Sequence, residues 1–441
     1  MMKMKFHWWF IPVGILGFIL VAVIALVIFM RSMLPWENLL AATSNVKLEL
    51  SAEQKEFIEG EARDYSTLPD ALVMADGTKV STTEQFENER REEILAFFEE
   101  YVYGTLPKNG FTTSFEIVEE SEVFDGKAIR KQVKIIVATE KGTSEALMLL
   151  HVPNTDAPSP VIIGLNSNGN HAALADEAIL PSYSFDTEDG TWVEKRGEKA
   201  YRWNIEDSIA RGYAVATIYS GDFAPDSAKT YNTRVVSLFD EEEFKAVGAW
   251  AFGLLRAVDY MMQDESIDSN HIAVVGHSRL GKAAVWAGAN DTRIGMVISN
   301  DSGNSGASLS RSNRGETVKS INAAFPHWFA SKYADYGKNV NALPVDQNLL
   351  LASIAPRLLY VASAEDDMWA DPQGAWNSLM YARNAFELYG LEVIAYSDKQ
   401  PEVNTSVWTE SMGCHVRTGW HDMQSEDWEF YLEYMDTYFV K

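Results

Sequence analysis

From Pro160 to its C-terminus the chain alternates short apolar runs with amphipathic segments of helical length, and few architectures accept that pattern. VIIGLN, YAVATIY, HIAVVG, GMVISN and RLLYVAS read as buried strands. EEEFKAVGAWAFGLLRAVDYMM, GKAAVWAGA and PQGAWNSLMYARNAFELYG read as helices. Continuously apolar strands separated by helices predict a mostly parallel sheet covered on both faces. The stretch from Phe115 to His151 has a different rhythm. Its runs KQVKIIVAT and SEALMLLHV alternate like antiparallel strands. Residues 37–110 read as helical and polar. Phe86, Ile94, Leu95, Phe98 and Val102 recur there at helical spacing, and Gly104 and Pro107 end the pattern. The segment Tyr183–Tyr201, rich in charge and turn formers, reads as a loop inserted over one end of the sheet.

Within this frame HIAVVGHSRLGKAAVWAGA is the most informative stretch. A buried strand runs into Gly276-His277-Ser278-Arg279, and a helix opens at Leu280-Gly281. Strand, tight turn and helix with serine at the apex form the nucleophile elbow of α/β-hydrolases. The spacing is GHSRLG, with the second glycine one place beyond the common GxSxG. Gly276 and Gly281 leave room where strand and helix cross, and the serine takes a strained backbone conformation. The plain alternative is a turn serine capping a helix. The fold expected is an α/β-hydrolase three-layer sandwich with Ser278 as nucleophile. Backbone N–H groups at the helix start, with the positive end of its dipole, suit an oxyanion, and Arg279 stands beside them as a further donor or as half of a salt bridge.

Triad order in this fold is serine, acid, histidine. Of eight histidines only His327, His415 and His421 follow Ser278. His421 lies in RTGWHDM just before the last helix, where the base belongs; His415 is second choice, and His327 reads as structural. Two acids compete. Asp367 follows RLLYVAS, with Asp366 beside it, and Asp301 follows GMVISN. Either carboxylate can hold the imidazole tautomer, and either can cap a helix instead.

Composition narrows the remaining classes. The net charge of −26 argues against a nucleic-acid partner, because phosphate backbones need Lys and Arg. The single Cys414 forbids an intrachain disulfide, so the fold must rest on its core; as a nucleophile it has far weaker local support than Ser278. No HExxH or CxxC pattern occurs, so no metal site is expected. Residues 8–30, WWFIPVGILGFILVAVIALVIFM, run without a charge. At about 1.5 Å per residue they can cross a hydrocarbon core of about 30 Å. Trp8 and Trp9 suit an interfacial belt, Lys3 and Lys5 precede the run and Arg31 follows it. A cleaved signal peptide usually has a shorter apolar core and a nearby small-residue site, whereas Ala41, Ala42 and Ser44 lie further on. The expected plan is a transmembrane helix with its flanks in residues 1–36, a helical region in 37–110 packing on the catalytic domain, and that domain in 111–441. The protein is then a single-pass protein of the cell membrane with its catalytic domain outside; secretion after cleavage is the rival.

At these residues the chain resembles the glucuronoyl esterases, carbohydrate esterase family 15. The likeness runs from about Arg90 onward through REEILAFFEEYVYGTLP, LNSNGNHA, YRWNIEDSIARGYAVATIYSGDFAPD, GAWAFGLLRAVDYM, GHSRLGKAA, NDSGNSGASLSRSNRGETV, AEDDMWADP and GWHDM. The resemblance implies Ser278 as nucleophile, His421 as base and Arg279 in the oxyanion hole. It further implies that Lys282 and Glu316 hydrogen-bond the hydroxyls of a glucuronate ring and that Trp369 packs near the sugar. Asp301 and Asp367 match the family's two acid positions; Asp367 is favoured, because Asp301 would have to reach further. The lone cysteine fits a bacterial type. The implied activity is cleavage of esters of (4-O-methyl-)glucuronic acid, as in lignin–carbohydrate links of glucuronoxylan, through an acyl-enzyme and without a cofactor. The alternatives are another carbohydrate esterase, acting on acetyl or feruloyl esters, and a non-catalytic carbohydrate-binding protein on a hydrolase fold.

Overall fold

The computed structural model describes residues 65–182 and 195–440. The apolar run 8–30, residues 37–64 of the expected helical region, and most of the insertion expected at 183–201 lie outside the described residues. Among the described residues no helix is long and apolar enough to cross a membrane.

Ten strands form one sheet: β1 Thr112–Val123, β2 Ala128–Thr139, β3 Gly142–Pro153, β4 Ser159–Asn166, β5 Ala214–Tyr219, β6 Ile267–His277, β7 Met296–Asn300, β8 Leu358–Ala364, β9 Thr405–Trp408 and β10 Met412–Arg417. Their order is β1-β2-β3-β5-β4-β6-β7-β8-β10-β9. β1, β2 and β3 are antiparallel, and β3 joins β5 antiparallel. From β5 through β4, β6, β7 and β8 to β10 every pairing is parallel, and β9 closes the far edge antiparallel. The main helices are α1 Arg91–Phe98, α2 Ile205–Ala210, α3 Ala246–Met261, α4 Arg279–Asn290, α5 Val318–Ala324, α6 Gln347–Ala352, α7 Pro372–Leu388 and α8 Ser425–Tyr438.

The central strands β4 to β8 are largely apolar because both of their faces are buried. Successive side chains point to opposite faces, and the two cores divide accordingly. Val161, Ile163, Ile272, Val274, Val297, Leu359 and Val361 join the core built with Trp250 of α3, Trp286 of α4, Leu350 of α6 and Leu379 of α7. Ile162, Ala273, Val275, Met296, Ile298 and Tyr360 face a second core with Ile205 and Ile209 of α2 and Trp428, Tyr431 and Met435 of α8. The result is a three-layer arrangement. Residues 83–103 form a continuous helical stretch that includes α1, and Phe86, Ile94, Phe98 and Val102 are fully buried in the first core. The Tyr103 ring stacks on Trp286, centroids 4.7 Å apart, directly behind the elbow helix.

Three details differ from the expectation. Of the expected helical region only 83–103 is helical among the described residues; 65–82 are turns and bends around an isolated Val73–Lys79 bridge, and 104–110 are not helical. The acidic start of EEEFKAVGAWAF is not helical: α3 begins at Ala246. Glu243 is held elsewhere, its carbonyl accepting from Thr105 N at 3.0 Å and its carboxylate from Ser331. The first amides of α3 donate to the carbonyls of His327 and Trp328. β9 and β10 are short and carry His415 and Arg417, so they show no apolar run; they form because β10 adds to β8 in parallel register.

Candidate active site

The site lies at the carboxyl ends of the parallel strands, where loops can present side chains over a rigid sheet. β6 delivers Ser278, β7 Asp301, β8 Asp367 and β10 His421. Ser278 has φ 58° and ψ −129°, the strained turn the motif requires. The two glycines explain the displaced spacing. A Cβ on Gly276 would stand 2.1 Å from the Leu280 carbonyl oxygen, and one on Gly281 would stand 2.8 Å from both Gly276 O and Ser302 Cβ. The Gly276 contact is with backbone, so no rotamer relieves it. Gly276→Ala is expected to cost about 3 kcal/mol, the upper end for overpacking. A thermal-unfolding midpoint equal to the parent's would refute this account of the motif.

Ser278 Oγ lies 2.8 Å from His421 Nε2, and His421 Nδ1 lies 2.5 Å from Asp367 Oδ2. The other Asp367 oxygen accepts from Ala370 N at 3.1 Å, which fixes the carboxylate plane. Burial works against an imidazolium at His421. The Asp367 carboxylate, by charge and hydrogen bond, and Asp301 behind it outweigh burial and raise the histidine above its ordinary value. Asp301 is adjacent but not hydrogen-bonded to the imidazole. It has φ 43°, its Oδ1 accepts from Ala364 N at 2.8 Å, and its Oδ2 lies 3.5 Å from Arg417 Nη2. Burial and repulsion from Asp367 push the Asp301 carboxyl well above the carboxylate range, against the pull of Arg417 and His421. The ligand atoms of Asp301, Asp367 and His421 lie within 4.8 Å of one another. This cluster is the acid–base end of the serine site.

Other candidates fall elsewhere. His415, the second choice of base, is fully buried on β10 between Asp427 Oδ1, at 2.8 Å, and the Tyr360 hydroxyl, at 3.0 Å. The strand points it into the core beneath α8. Asp366 is exposed. Cys414 is buried on β10, where burial pushes its thiol up, away from the reactive thiolate.

Arg279, the first residue of α4, pairs with Asp226 and lies over the rings of Trp328 and Phe325, at 5.1 and 5.7 Å from their centroids. Asp226 also receives His327 Nε2 at 2.9 Å and Trp328 Nε1 at 2.6 Å. Burial disfavours the Asp226 carboxylate, but Arg279, His327 and Trp328 hold it well below its ordinary value. His327 is thus part of the support for Arg279. Lys282 is buried one turn into α4. Its Nζ donates to Ser302 O and Asn304 O, both at 2.6 Å, and to Glu316 Oε2 at 2.8 Å. An ammonium has three donors, and all three have partners within the protein. Glu316 N donates to Trp369 O at 2.8 Å, which brings the half-buried Trp369 to the same corner.

The sequence reading missed Asp226, His277 and Arg417. Each acts through partners distant in the chain, so no local pattern marks it. Burial, then the charges of His421 and Arg202, hold the His277 imidazolium well below its ordinary value; its Nδ1 meets Asn300 Oδ1 at 2.6 Å.

Residues 202–390 match the family model described as glucuronyl esterase, fungi. A carbohydrate esterase designated MZ0003, from an unknown prokaryotic organism, is 40% identical over 386 residues, which span 84% of this chain and 89% of that one. The structure of a promiscuous CE15 esterase from a marine bacterial metagenome superposes with a TM-score of 0.77 at 38% identity, over 85% of this chain and 99% of that one. A glucuronoyl esterase from Solibacter usitatus gives a TM-score of 0.78 at 36% identity, over 86% and 99%. With likeness of this extent over most of the chain and a serine–histidine–aspartate chain at the carboxyl ends of its parallel strands, the protein belongs to carbohydrate esterase family 15, the glucuronoyl esterases.

Proposed function

We propose that this chain hydrolyses esters of glucuronic acid or its 4-O-methyl ether, such as those borne by glucuronoxylan, through an acyl-enzyme on Ser278. The observation that carries the reading is the hydrogen-bonded chain Ser278–His421–Asp367, with Lys282 one turn into α4, Glu316 paired to it, and Trp369 on the loop of Asp367 bonded to the Glu316 amide. Ser278 Oγ attacks the C6 carbonyl while His421 Nε2 takes its proton. The charge that develops on the carbonyl oxygen is met by Arg279 and by the amides opening α4. His421 returns the proton to the departing alcohol, and water then releases glucuronate by the same route in reverse. Asp367 holds the imidazole tautomer and stabilises the imidazolium. Glu316 offers acceptors to ring hydroxyls, and Lys282, whose protons are committed within the protein, fixes that carboxylate.

The test compares Lys282→Ala and Glu316→Ala on methyl or benzyl glucuronate and on a short-chain nitrophenyl ester. A group that binds sugar equally in ground and transition states raises KM on removal and leaves kcat nearly unchanged. The expected loss in kcat/KM is about tenfold or more on the glucuronate ester and small on the ester without a sugar. Equal losses on both would assign the pair to the fold or the chemistry, and faster turnover of an acetylated sugar than of a glucuronate ester would replace the substrate class.

The uncharged run 8–30, with Lys3 and Lys5 before it, supports attachment to the cell membrane with the catalytic domain outside. The full chain is then expected in the membrane fraction of expressing cells, and its recovery in the soluble fraction would end this placement.

A further inference from the structure

The loop that carries His421 has only a few residues, and one side chain occupies its centre. Arg417, the last residue of β10, is buried. Its Nη1 donates to Thr418 O at 2.9 Å, and its Nη2 donates to Trp420 O at 3.0 Å and to Asp422 O. Two of these carbonyls belong to the residues flanking His421. Its Nε donates to Asp427 Oδ2 at 2.9 Å. Asp427 is itself fixed: Oδ1 meets His415 Nε2 at 2.8 Å, and Oδ2 accepts from Gln424 N at 2.8 Å in the capping box of α8. The guanidinium therefore stands on a rigid platform of β8, β10 and α8 and reaches outward to backbone. On the outer side, Asp422 is tied through its side chain to Arg202 at 2.6 Å and to the Tyr201 hydroxyl at 3.0 Å.

We propose that Arg417 is the positioning residue of His421: by donating to carbonyls on both sides of the histidine it shapes the loop so that the imidazole spans Ser278 and Asp367. The inference rests on the reading of Ser278 and His421 as the reacting pair. It follows from the chemistry of the fork. A guanidinium offers five N–H donors in one plane, which lets it serve Asp427 and three carbonyls at once. Lysine would keep the charge opposite Asp427 but has a single nitrogen and cannot hold the carbonyls on both sides of His421. The alternative is that Arg417 is only the partner of Asp427 in a buried ion pair that stabilises the fold. That role is indifferent to where the imidazole sits.

The two roles separate in the rate at which Ser278 is phosphonylated by a fluorophosphonate, followed by intact mass. In that reaction the serine oxygen bonds phosphorus, fluoride leaves and His421 takes the serine proton. No sugar is involved, so an error in the proposed substrate leaves the result untouched, and Ser278→Ala, which must remain unlabelled, checks the nucleophile separately. Displacement of a catalytic group by about 1 Å costs about 10²-fold. Arg417→Lys is expected to be labelled slower by about that factor with its near-UV circular dichroism retained, and kcat on a glucuronate ester should fall in parallel at nearly constant KM. Arg417→Ala should recover labelling by about tenfold or more in added guanidinium and not in added ammonium. Labelling of Arg417→Lys within about twofold of the parent, at native dichroism, would overturn the proposal. So would a loss that tracks the loss of native dichroism in both variants without recovery in guanidinium.

Discussion

Replacement of Ser278 by alanine is expected to lower kcat by about 10⁶ on a glucuronate ester while leaving the fold in place. The serine is the only oxygen nucleophile that the elbow holds against His421, at 2.8 Å. Alanine keeps a Cβ at the apex and meets the same backbone angles, φ 58° and ψ −129°, so the strain of the turn is unchanged. The flanking contacts are backbone: Ser278 N donates to Asn300 O at 2.9 Å, and Ser278 O accepts from Gly281 N at 2.9 Å. Both survive the substitution. What disappears is the covalent route. Arg279, the α4 amides and the sugar contacts remain, and such groups alone leave a residual acceleration over water of about 10³–10⁴. Steady-state rates on methyl glucuronate, with circular dichroism as the control for folding, decide the matter. A variant that retained activity within about tenfold of the parent would remove Ser278 from the mechanism.

The parts of this site that were legible in the sequence are those whose cause is local. HIAVVGHSRLGK announces the elbow because strand, glycine pair, serine and helix are consecutive, and the structure places Gly276 and Gly281 in contact across the crossing. The strands β4 to β8 were legible for a related reason: each is buried on both faces, and a continuous apolar run records that directly. β9 and β10 were not, since β10 contributes His415 and Arg417, and their burial is balanced by Asp427 from α8. Polar residues buried against a partner elsewhere in the chain erase the periodicity that marks a strand. The same reasoning covers Asp226, which lies more than fifty residues before Arg279 and about a hundred before His327. The choice between Asp301 and Asp367 also lay beyond the sequence. Both follow parallel strands at the same carboxyl end of the sheet, and only side-chain direction separates them: Asp301 is turned to the Ala364 amide, Asp367 to His421.

Asp367→Asn is expected to damage turnover far more than Asp301→Asn. Asp367 accepts at 2.5 Å from His421 Nδ1, which leaves Nε2 bare to take the serine proton. An asparagine can present its amide there, favour the wrong tautomer and withdraw the charge that stabilises the imidazolium; such a change costs about 10⁴ in kcat. Burial and repulsion from Asp367 disfavour charge on Asp301 and hold its carboxyl well above its ordinary value. Asparagine is then a near-isosteric neutral replacement, and its oxygen can still accept from Ala364 N. The expected cost is about tenfold or less, chiefly through the contact with Arg417. The pH profiles should separate the two further. His421 acts as base only when neutral, so kcat/KM is lost as pH falls through its pKa. Asp367 is the main group raising that value against burial, so the acid limb of the parent lies above the ordinary imidazole range and should move to lower pH in Asp367→Asn. In Asp301→Asn it should move little. Asp301 stands beside Asp367 and also favours the imidazolium, so it can supply part of the charge lost in Asp367→Asn. The double variant should therefore be slower than Asp367→Asn alone. Greater damage from Asp301→Asn would transfer the triad acid to the end of β7, and two mild single effects with a severe double effect would show that the carboxyls share the role.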